Sequence, residues 1–355
     1  MDGTLRIGIL GAARIAPMAL VRPARQVPEA TVVAVAARDP AKARAFAEKH
    51  DIPRVHESYD ALLADPELDA IYNPLPNSHH CEWTIRALRA GKHVLCEKPI
   101  AANAAEAERM AEAAAASGRV LMEAFHWRYH PLAARMREIL ASGAIGRVQH
   151  LEAWLCFPML SPGDIRWRLD LAGGALMDAG CYPVSMVRHL AKATDEKSEP
   201  ERSEGDKRAL GEQSEPEVVS ARSWLRSPQV DRRTEAELRF ADGRRAKIGC
   251  SMLSHTLLWT SILVRGDAGE MRVANPIAPH FWHRLRVRTA RGSSTERVPG
   301  DPTYTHQLRA FVDAVRRGTP VPTDPRDAVA NMRVIDGIYR AAGLQPRGNV
   351  TSAAT

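Results

Sequence analysis

Short apolar runs alternate with longer amphipathic segments through the first third of the chain. Residues 5–10 and 31–37 are mostly apolar, as in strands that are buried on both faces of a parallel sheet. Regular alternation of such strands with helices predicts a doubly wound parallel sheet that ends near residue 125. Further strands are predicted at 68–72, 93–96 and 120–125, and helices at 12–26, 40–50, 78–90 and 103–117.

The pattern changes in the second half, where apolar and polar residues alternate. Segment 284–289, Arg-Leu-Arg-Val-Arg-Thr, is typical of a strand with one face toward solvent. The Asp242-Gly243 pair between two such segments is typical of a hairpin turn. We therefore expect an α+β domain with a large, mostly antiparallel open sheet, followed by helices at 304–317 and 325–342. The predicted strands are 148–157, 218–225, 234–240, 244–253, 257–265, 269–273 and 284–289.

These patterns predict a Rossmann domain at 1–125 and an α+β domain for substrate binding and oligomerisation at 126–345. One segment, 194–217, fits neither domain. It has nine acidic and four basic side chains and repeats Ser-Glu-Pro-Glu at 198–201 and 214–217. A stretch this polar buries too little apolar surface to offset the entropy cost of ordering it. We therefore expect a mobile surface insertion. A regulatory docking loop is the alternative.

Composition excludes several classes of protein. The chain has 355 residues, is 45% hydrophobic and contains no apolar stretch long enough for a membrane span. Its first residues show no basic region followed by an apolar run, so no signal peptide is expected and a cytoplasmic location is predicted. The five cysteines form no C-x-x-C pair and the histidines show no paired-ligand spacing, so no metal site is expected. The net charge of +7 is carried by scattered arginines, which does not favour nucleic-acid binding.

The turn after the first strand is a candidate dinucleotide site. Aligned on Gly11, it has the pattern G-x-A-x-x-A, a degenerate form of the dinucleotide fingerprint. Gly11 would permit the tight turn, and Ala16 would let helix and strand pack closely. Ala13 replaces a glycine and is tolerable if it keeps a negative φ. Backbone amides at the helix start would hold a pyrophosphate. The residues assigned to this turn are Gly11, Ala12, Ala13, Arg14 and Ile15.

The end of the second strand suggests which dinucleotide binds. NAD enzymes usually place an acid there for the ribose 2′-hydroxyl, but here Arg38 precedes Asp39. A guanidinium suits a 2′-phosphate, so NADP(H) is favoured over NAD(H). The alternative is that Arg38 is a solvated loop residue and that Asp39 caps the next helix.

Two further motifs suggest hydride transfer. Glu97-Lys98-Pro99 ends an apolar strand, and 173–182 reads Gly-Gly-Ala-Leu-Met-Asp-Ala-Gly-Cys-Tyr, with Asp178 four residues before Tyr182. A free tyrosine titrates near ~10. A nearby lysine ammonium favours the phenolate and lowers the tyrosine pKa, so that Tyr182 could exchange a proton with an alcohol near neutral pH. Asp178 would orient the substrate hydroxyl or Lys98.

Together these motifs resemble the Gfo/Idh/MocA oxidoreductase family, and the resemblance covers nearly the whole chain except 194–217. It is carried by residues 8–16, 74–80, 97–99, 123–131, 173–182 and 331–342. Within the family, the chain most resembles the branch of glucose–fructose oxidoreductase, xylose dehydrogenase and dimeric dihydrodiol dehydrogenase. That branch has a tyrosine where inositol dehydrogenases have a histidine, and Tyr182 falls at this position. The resemblance implies that Lys98 and Tyr182 are catalytic with Asp178 beside them, and that the bond before Pro99 is cis.

The resemblance also implies further site residues. Those expected to line the cofactor are Pro74, Pro76, Asn77, His80, Glu97, Lys98 and Trp167. The candidate substrate residues are Trp127, Arg128, Asp178 and Tyr182. An aromatic cluster such as Trp127 to Tyr129 is more often packing than a binding site, so that alternative stays open.

The expected function is an NAD(P)-dependent oxidoreductase acting on the hydroxyl or carbonyl of a sugar, a sugar derivative or a trans-diol. The resemblance leaves two alternatives, a non-catalytic dinucleotide-binding sensor or co-repressor and an NAD-dependent glycosidase. Retention of Lys98, Asp178 and Tyr182 argues against the sensor. One face of the open sheet is expected to be bare, and relatives assemble through it, so a homodimer or homotetramer is predicted.

Overall fold

A computed structural model of the chain describes residues 3–195, 215–256 and 258–348. Its contacts divide the chain into two compact units, Met1–Tyr129 with Asp301–Val329, and His130–Gly300 with Ala330–Thr355. Residues 196–214, most of the expected insertion, lie outside the described residues, so that expectation stays a prediction.

Two sheets contain the strands of the described chain. The first contains β1 (Leu5–Leu10), β2 (Ala30–Ala36), β3 (Arg54–His56), β4 (Ala70–Asn73), β5 (His93–Cys96) and β6 (Leu121–Glu123). The second contains β7 (Val148–Cys156), β8 (Glu217–Ser227), β9 (Val230–Arg239), β10 (Arg245–Ser251), β11 (Trp259–Gly266), β12 (Gly269–Ala274), β13 (Arg284–Thr289) and β14 (Gly292–Glu296).

The helices are α1 (a π turn Pro17–Val21 continued by Arg22–Ala24), α2 (Pro40–His50), α3 (Tyr59–Ala64), α4 (Asn77–Arg89), α5 (Ala104–Ser117), α6 (Pro131–Ala141), α7 (Cys181–Asp195), α8 (Thr303–Arg317) and α9 (Pro325–Ala341). A π turn, Leu176–Gly180, leads directly into α7. Short 3₁₀ turns lie at His126–Tyr129, Ile165–Trp167 and Leu169–Leu171.

The first sheet is parallel, with strand order β3-β2-β1-β4-β5-β6. This is the Rossmann order, so the predicted doubly wound sheet is confirmed. The order places the carboxyl ends of β1 and β4 side by side, where dinucleotides bind in such sheets. The turn after β1 and the loop after β4 therefore lie at the same edge of the sheet.

Helix α8 packs with the first unit, although it follows the second unit in the chain. Its buried Leu308, Phe311 and Val312 belong to the same apolar core as Ile7 and Tyr72 of the parallel sheet. The domain limits expected from the sequence, 1–125 and 126–345, differ from the observed units because 301–329 returns to the first unit. The apolar face of this amphipathic helix finds its partner there.

The second sheet has the order β14-β13-β12-β11-β7-β10-β9-β8. Strands β7 and β10 pair in parallel and the other neighbouring strands pair antiparallel, so the mostly antiparallel sheet is also confirmed. Along β9, Ala236 and Leu238 are buried while Glu237 and Arg239 are exposed. Alternation of this kind gives the sheet one apolar and one polar face.

The helix expected at 12–26 is shorter in the structure. Helical geometry begins only at Pro17 and ends at Ala24. Pro17 and Pro23 have no amide hydrogen to donate, which removes the bonds that would extend a regular helix through this segment.

Candidate functional site

The turn after β1 has the geometry that its glycine predicts. Gly11 has φ +88°, and its amide donates to Ala36 O at 2.6 Å. A Cβ on Gly11 would lie 3.1 Å from Leu75 Cδ2, so the turn passes close to the loop after β4. Ala13 is not among the residues with positive φ, which meets the condition set for it, and Ala16 is fully buried. This tight, small-residue turn fits the pyrophosphate of a dinucleotide.

Asp39 is the N-cap of helix α2. Its Oδ1 accepts hydrogen bonds from the amides of Ala41 at 3.0 Å and Lys42 at 3.4 Å, so the expected alternative of an N-cap is confirmed. Arg38, two residues after the end of β2, is exposed. At the sheet edge where a ribose would lie, the Arg38 guanidinium is therefore accessible, whereas the Asp39 carboxylate is engaged in the helix cap.

Tyr59 is a neighbour of this turn that the sequence did not reveal. Its hydroxyl lies 3.6 Å from the position of a Cβ on Gly11 and is hydrogen-bonded to the Arg38 backbone. Burial raises the pKa of Tyr59, so it is a neutral phenol. Tyr59 also meets Trp83 edge to face, with ring centroids 4.8 Å apart. No local motif marks Tyr59, since it begins the short helix α3, which sequence patterns also missed.

Lys98 lies on a turn that is held by hydrogen bonds to the residues before and after it. The Lys98–Pro99 bond is cis, as the resemblance implied. After it, the Pro99 carbonyl is 2.9 Å from His80 Nδ1, and the Ile100 amide donates to Glu123 Oε1 at 2.8 Å. Before it, Glu97 Oε1 accepts from the Tyr72 hydroxyl at 2.7 Å. Buried partners on three elements thus fix the backbone at Lys98, whose own side chain is half-buried.

His80 connects that turn to the loop after β4. Its Nδ1 is 2.9 Å from Pro99 O, and its Nε2 is 2.7 Å from Leu75 O. Burial, which outweighs the two carbonyl contacts, lowers the pKa of His80 to about 4, so the ring is neutral at pH 7. A neutral imidazole has one N–H, so the two carbonyls compete for it. His80 is 1% exposed and contacts the loop at Leu75; in that loop Pro74 is buried, and Pro76 and Asn77 are half-buried.

In the second unit, Asp178 and Tyr182 lie on one continuous segment. Asp178 is inside the π turn Leu176–Gly180, and Tyr182 is the second residue of α7. Single π turns within helices occur often at functional sites because they re-aim side chains. Tyr182 is 6% exposed and the Asp178 side chain is 16% exposed.

Arg166 holds Asp178. Its Nε lies 2.8 Å from Asp178 Oδ2, and its Nη1 lies 3.1 Å from Oδ1 of buried Asp164. Burial lowers the pKa of Arg166, but the two carboxylates more than offset this and raise it. A permanent cation bridges the two acids and favours the ionised form of Asp178. Sequence patterns did not reveal this pair, because Arg166 and Asp178 lie on separate turns.

Three predicted site residues have packing partners in the structure. Trp167 is 8% exposed, donates its indole N–H to Ser161 O at 3.1 Å, and is covered by the Arg226 guanidinium at 4.7 Å. Trp127 is fully buried. Arg128 is ion-paired with Asp327. Burial of Trp127 and the ion pair of Arg128 are in keeping with the packing alternative left open for this cluster.

Comparison with known proteins decides the family. Residues 5–125 match the model of an oxidoreductase family with an NAD-binding Rossmann fold, GFO_IDH_MocA, and residues 133–272 match the GFO/IDH/MocA C-terminal domain. The chain belongs to the GFO/IDH/MocA oxidoreductase family. Its resemblance to this family, expected from the motifs, is confirmed.

Relatives of this family member cover almost all of its length. A dTDP-3,4-didehydro-2,6-dideoxy-α-D-glucose 3-reductase from Saccharopolyspora spinosa is 41% identical over 98% of both chains. D-xylose 1-dehydrogenase (NADP(+)) 2 from Haloferax volcanii is 34% identical over 95% of this chain and 97% of its own. The crystal structure of a 3-ketoreductase from Actinomadura kijaniata, in complex with NADP and TDP-benzene, has a TM-score of 0.84 at 28% identity, covering 96% and 98%.

Each unit of this oxidoreductase thus assembles part of the predicted set. The first gathers the Gly11 turn, Arg38, His80 and the Lys98 turn at one sheet edge. The second pairs Arg166 with Asp178 of the π turn, and Tyr182 follows on α7. Within the described residues, no helix is long and apolar enough to cross a membrane.

Proposed function

We propose that this protein is an NADP(H)-preferring dehydrogenase or reductase that acts on the hydroxyl or carbonyl of a sugar, a sugar derivative or a trans-diol. The Lys98 turn carries the proposal. A lysine that only solvates a strand end needs no fixed backbone, whereas Pro99 O and Ile100 N here meet His80 and Glu123, both buried. Catalysis requires this kind of support, because a group misplaced by about 1 Å can lose roughly 10²-fold in rate.

Tyr182 is the proposed acid and base. In the reductive direction its hydroxyl donates a proton to the carbonyl oxygen, and in the oxidative direction its phenolate accepts the proton of the hydroxyl. Lys98 favours the phenolate and binds the same substrate oxygen. Asp178, held by Arg166 at 2.8 Å, accepts a hydrogen bond from a substrate hydroxyl and orients it. The nicotinamide, when bound, supplies or accepts the hydride.

The residues of the first unit fit a dinucleotide with a 2′-phosphate. The Gly11 turn, residues 11–15, would hold the pyrophosphate, and Arg38 would pair with the 2′-phosphate because Asp39 is occupied in its cap. Pro74, Pro76, Asn77 and Glu97 would line the nicotinamide half, and Trp167 would complete the cofactor site. We expect Arg38→Ala to weaken NADPH binding about ten-fold or more and NADH binding little. Equal losses for both would contradict the preference.

The substrate class rests on the relatives. Two of them are named for a dTDP-linked keto sugar and for xylose, and a lysine and a tyrosine have each been replaced in variants of the Actinomadura enzyme solved with NADP and TDP-benzene. We infer that the same residue types act here on a related polyhydroxylated substrate.

The test is nicotinamide absorbance with a panel of aldoses, inositols, trans-diols, dTDP-linked sugars and their keto forms, run with NADP and NAD separately. Turnover that falls by roughly 10²–10⁴ in Lys98→Met and Tyr182→Phe is expected. Arg119→Met, a substitution in the loop between α5 and β6, is the control. A silent panel with normal NADPH binding would instead favour a non-catalytic sensor, and sugar release without net NADPH change would indicate a glycosidase.

A further inference from the structure

A fully buried carboxylate lies at the start of the turn that carries Asp178. Asp231, the second residue of β9, is 0% exposed. Its Oδ2 accepts from the Leu176 amide at 2.7 Å and from the Thr234 hydroxyl at 2.9 Å. Its Oδ1 accepts from the Tyr339 hydroxyl and from Arg347 Nη2, both at 3.0 Å. Four donors surround one charge, which is the condition under which a buried carboxylate is tolerated.

The cation of this network is itself fixed. Arg347 is 1% exposed, stacks on the Tyr339 ring at 4.0 Å and donates its Nε–H to Gly173 O at 2.8 Å. Asp231 therefore holds the segment before Asp178 in two ways, directly through the Leu176 amide and through Arg347 at Gly173.

Two glycines let the chain pass between this network and the Arg166 segment. A Cβ on Gly174 would lie 2.2 Å from Asp231 Oδ1 and 2.9 Å from Arg347 Nη2. A Cβ on Gly173 would lie 2.5 Å from Arg166 O, and the Gly174 amide donates to that oxygen at 2.9 Å. Gly174 therefore connects the two: its amide binds the backbone of Arg166, and its Cα lies against Asp231 and Arg347.

We propose that Asp231 is a positioning residue for Asp178, acting through Leu176 and the Gly173-Gly174 pair and supported by Tyr339 and Arg347. This rests on the proposed function, in which Asp178 orients the substrate. Asp231 touches no substrate. It fixes the register of the π turn Leu176–Gly180 relative to Arg166, so that the Asp178–Arg166 pair keeps one geometry.

The experiment combines hydrogen exchange with kinetics on the full chain. Asp231→Asn removes the charge, and Tyr339→Phe, which deletes one donor, serves if the first variant fails to fold. Val273→Ala, a fully buried position on β12, is the control for loss of stability alone. We expect amides of 173–182 to exchange about ten-fold faster in Tyr339→Phe, since a hydrogen bond to a charged group is lost. Val273→Ala should leave this segment unchanged.

Kinetics separate positioning from structural support. At assay temperatures well below unfolding, Tyr339→Phe should lower kcat about ten-fold more than Val273→Ala, with NADPH affinity unchanged. Unchanged exchange over 173–182, or a kcat loss no larger than the control's, would overturn the proposal. A wild-type protein without turnover on any substrate would instead overturn the proposed function, and exchange alone would then decide whether Asp231 fixes this turn.

Discussion

Arg166 is the residue whose replacement tests the proposed site most directly. It bridges Asp164 and Asp178 with different guanidinium nitrogens, at 3.1 and 2.8 Å. We expect Arg166→Met to lower kcat by roughly 10²-fold, because Asp178 loses the partner that fixes its orientation. Arg166→Lys should recover only part of the loss, since a single ammonium cannot reproduce the bridge. Steady-state kinetics with the substrate found in the panel measures both.

A neighbouring arginine provides the control for Arg166. Arg168 lies two residues on, is ion-paired with Asp170 and has a side chain 58% exposed. Because exposed pairs contribute roughly 0–1 kcal/mol, Arg168→Met should leave both kcat and stability nearly unchanged. Equal effects of the two substitutions would show that the Arg166 bridge has no special role.

His80 predicts a pH dependence of stability. Its pKa is lowered to about 4 in the folded chain from 6.5. Between these values the unfolded chain binds a proton that the folded chain does not, so stability is complete above pH 6.5 and is lost as pH falls toward 4. The loss reaches about 3 kcal/mol of unfolding free energy.

The His80 effect is measured by urea unfolding of wild type and His80→Gln between pH 4 and 7. Glutamine keeps two N–H donors for the carbonyls of Leu75 and Pro99 but does not titrate. On acidification from pH 7 to pH 4, wild type should lose about 3 kcal/mol more unfolding free energy than His80→Gln. A difference that is constant with pH would mean that His80 does not titrate in this range.

At the level of single residues, local motifs mark some candidate positions and leave others unmarked. Lys98 and Tyr182 stand within short recognisable patterns, and Asp39 before Pro40 marks its own cap. Tyr59 and Asp231 carry no such mark, because their partners are 48 and 55 residues away, at Gly11 and Leu176. Pairings of this kind arise only when the fold brings separate strands and turns together.

Among the elements, the turn after β1 makes the sharpest prediction. Gly11→Ala forces a side chain into φ +88° and places its Cβ 3.1 Å from Leu75. We expect NADPH affinity to fall about ten-fold or more, since the turn must shift where the pyrophosphate would lie. Gly91→Ala is the matched control, with φ +78° and nothing within 4 Å of its Cβ. It should cost about 1–2 kcal/mol of stability without changing NADPH affinity.

The predictability of elements followed their burial. Strands such as β1 and β5 were found within a residue or two because burial on both faces leaves continuous apolar runs. Strand β14, Gly-Ser-Ser-Thr-Glu, has an almost wholly exposed edge position and no apolar pattern, so it was missed. The short elements β3 and α3 were missed for a related reason, since three to six residues do not establish a period.

For the whole molecule, the open face of the second sheet predicts self-association. On this face, Glu235 of β9 is paired with Arg233 and with Lys247 of β10, whereas Arg272 and Arg286 lie opposite each other on β12 and β13. A two-fold axis through the face would set the central strands of one protomer against those of its partner. Trp154 of β7, with Lys247 Nζ 5.6 Å from its ring, lies on these central strands and supplies an apolar centre.

We therefore expect wild type to be a dimer or tetramer at micromolar concentration and Trp154→Glu to be largely monomeric. The substitution removes the apolar centre and adds a charge beside Glu152, whose carboxylate already accepts from the Trp154 indole at 2.6 Å. Light scattering after gel filtration measures the mass. Arg89→Glu, at an exposed position at the end of α4 in the first unit, changes the charge by two and should leave the mass unaltered. A monomeric wild type, or a Trp154→Glu variant with wild-type mass, would exclude this face as the interface, since an interface centre tolerates no unpaired buried charge.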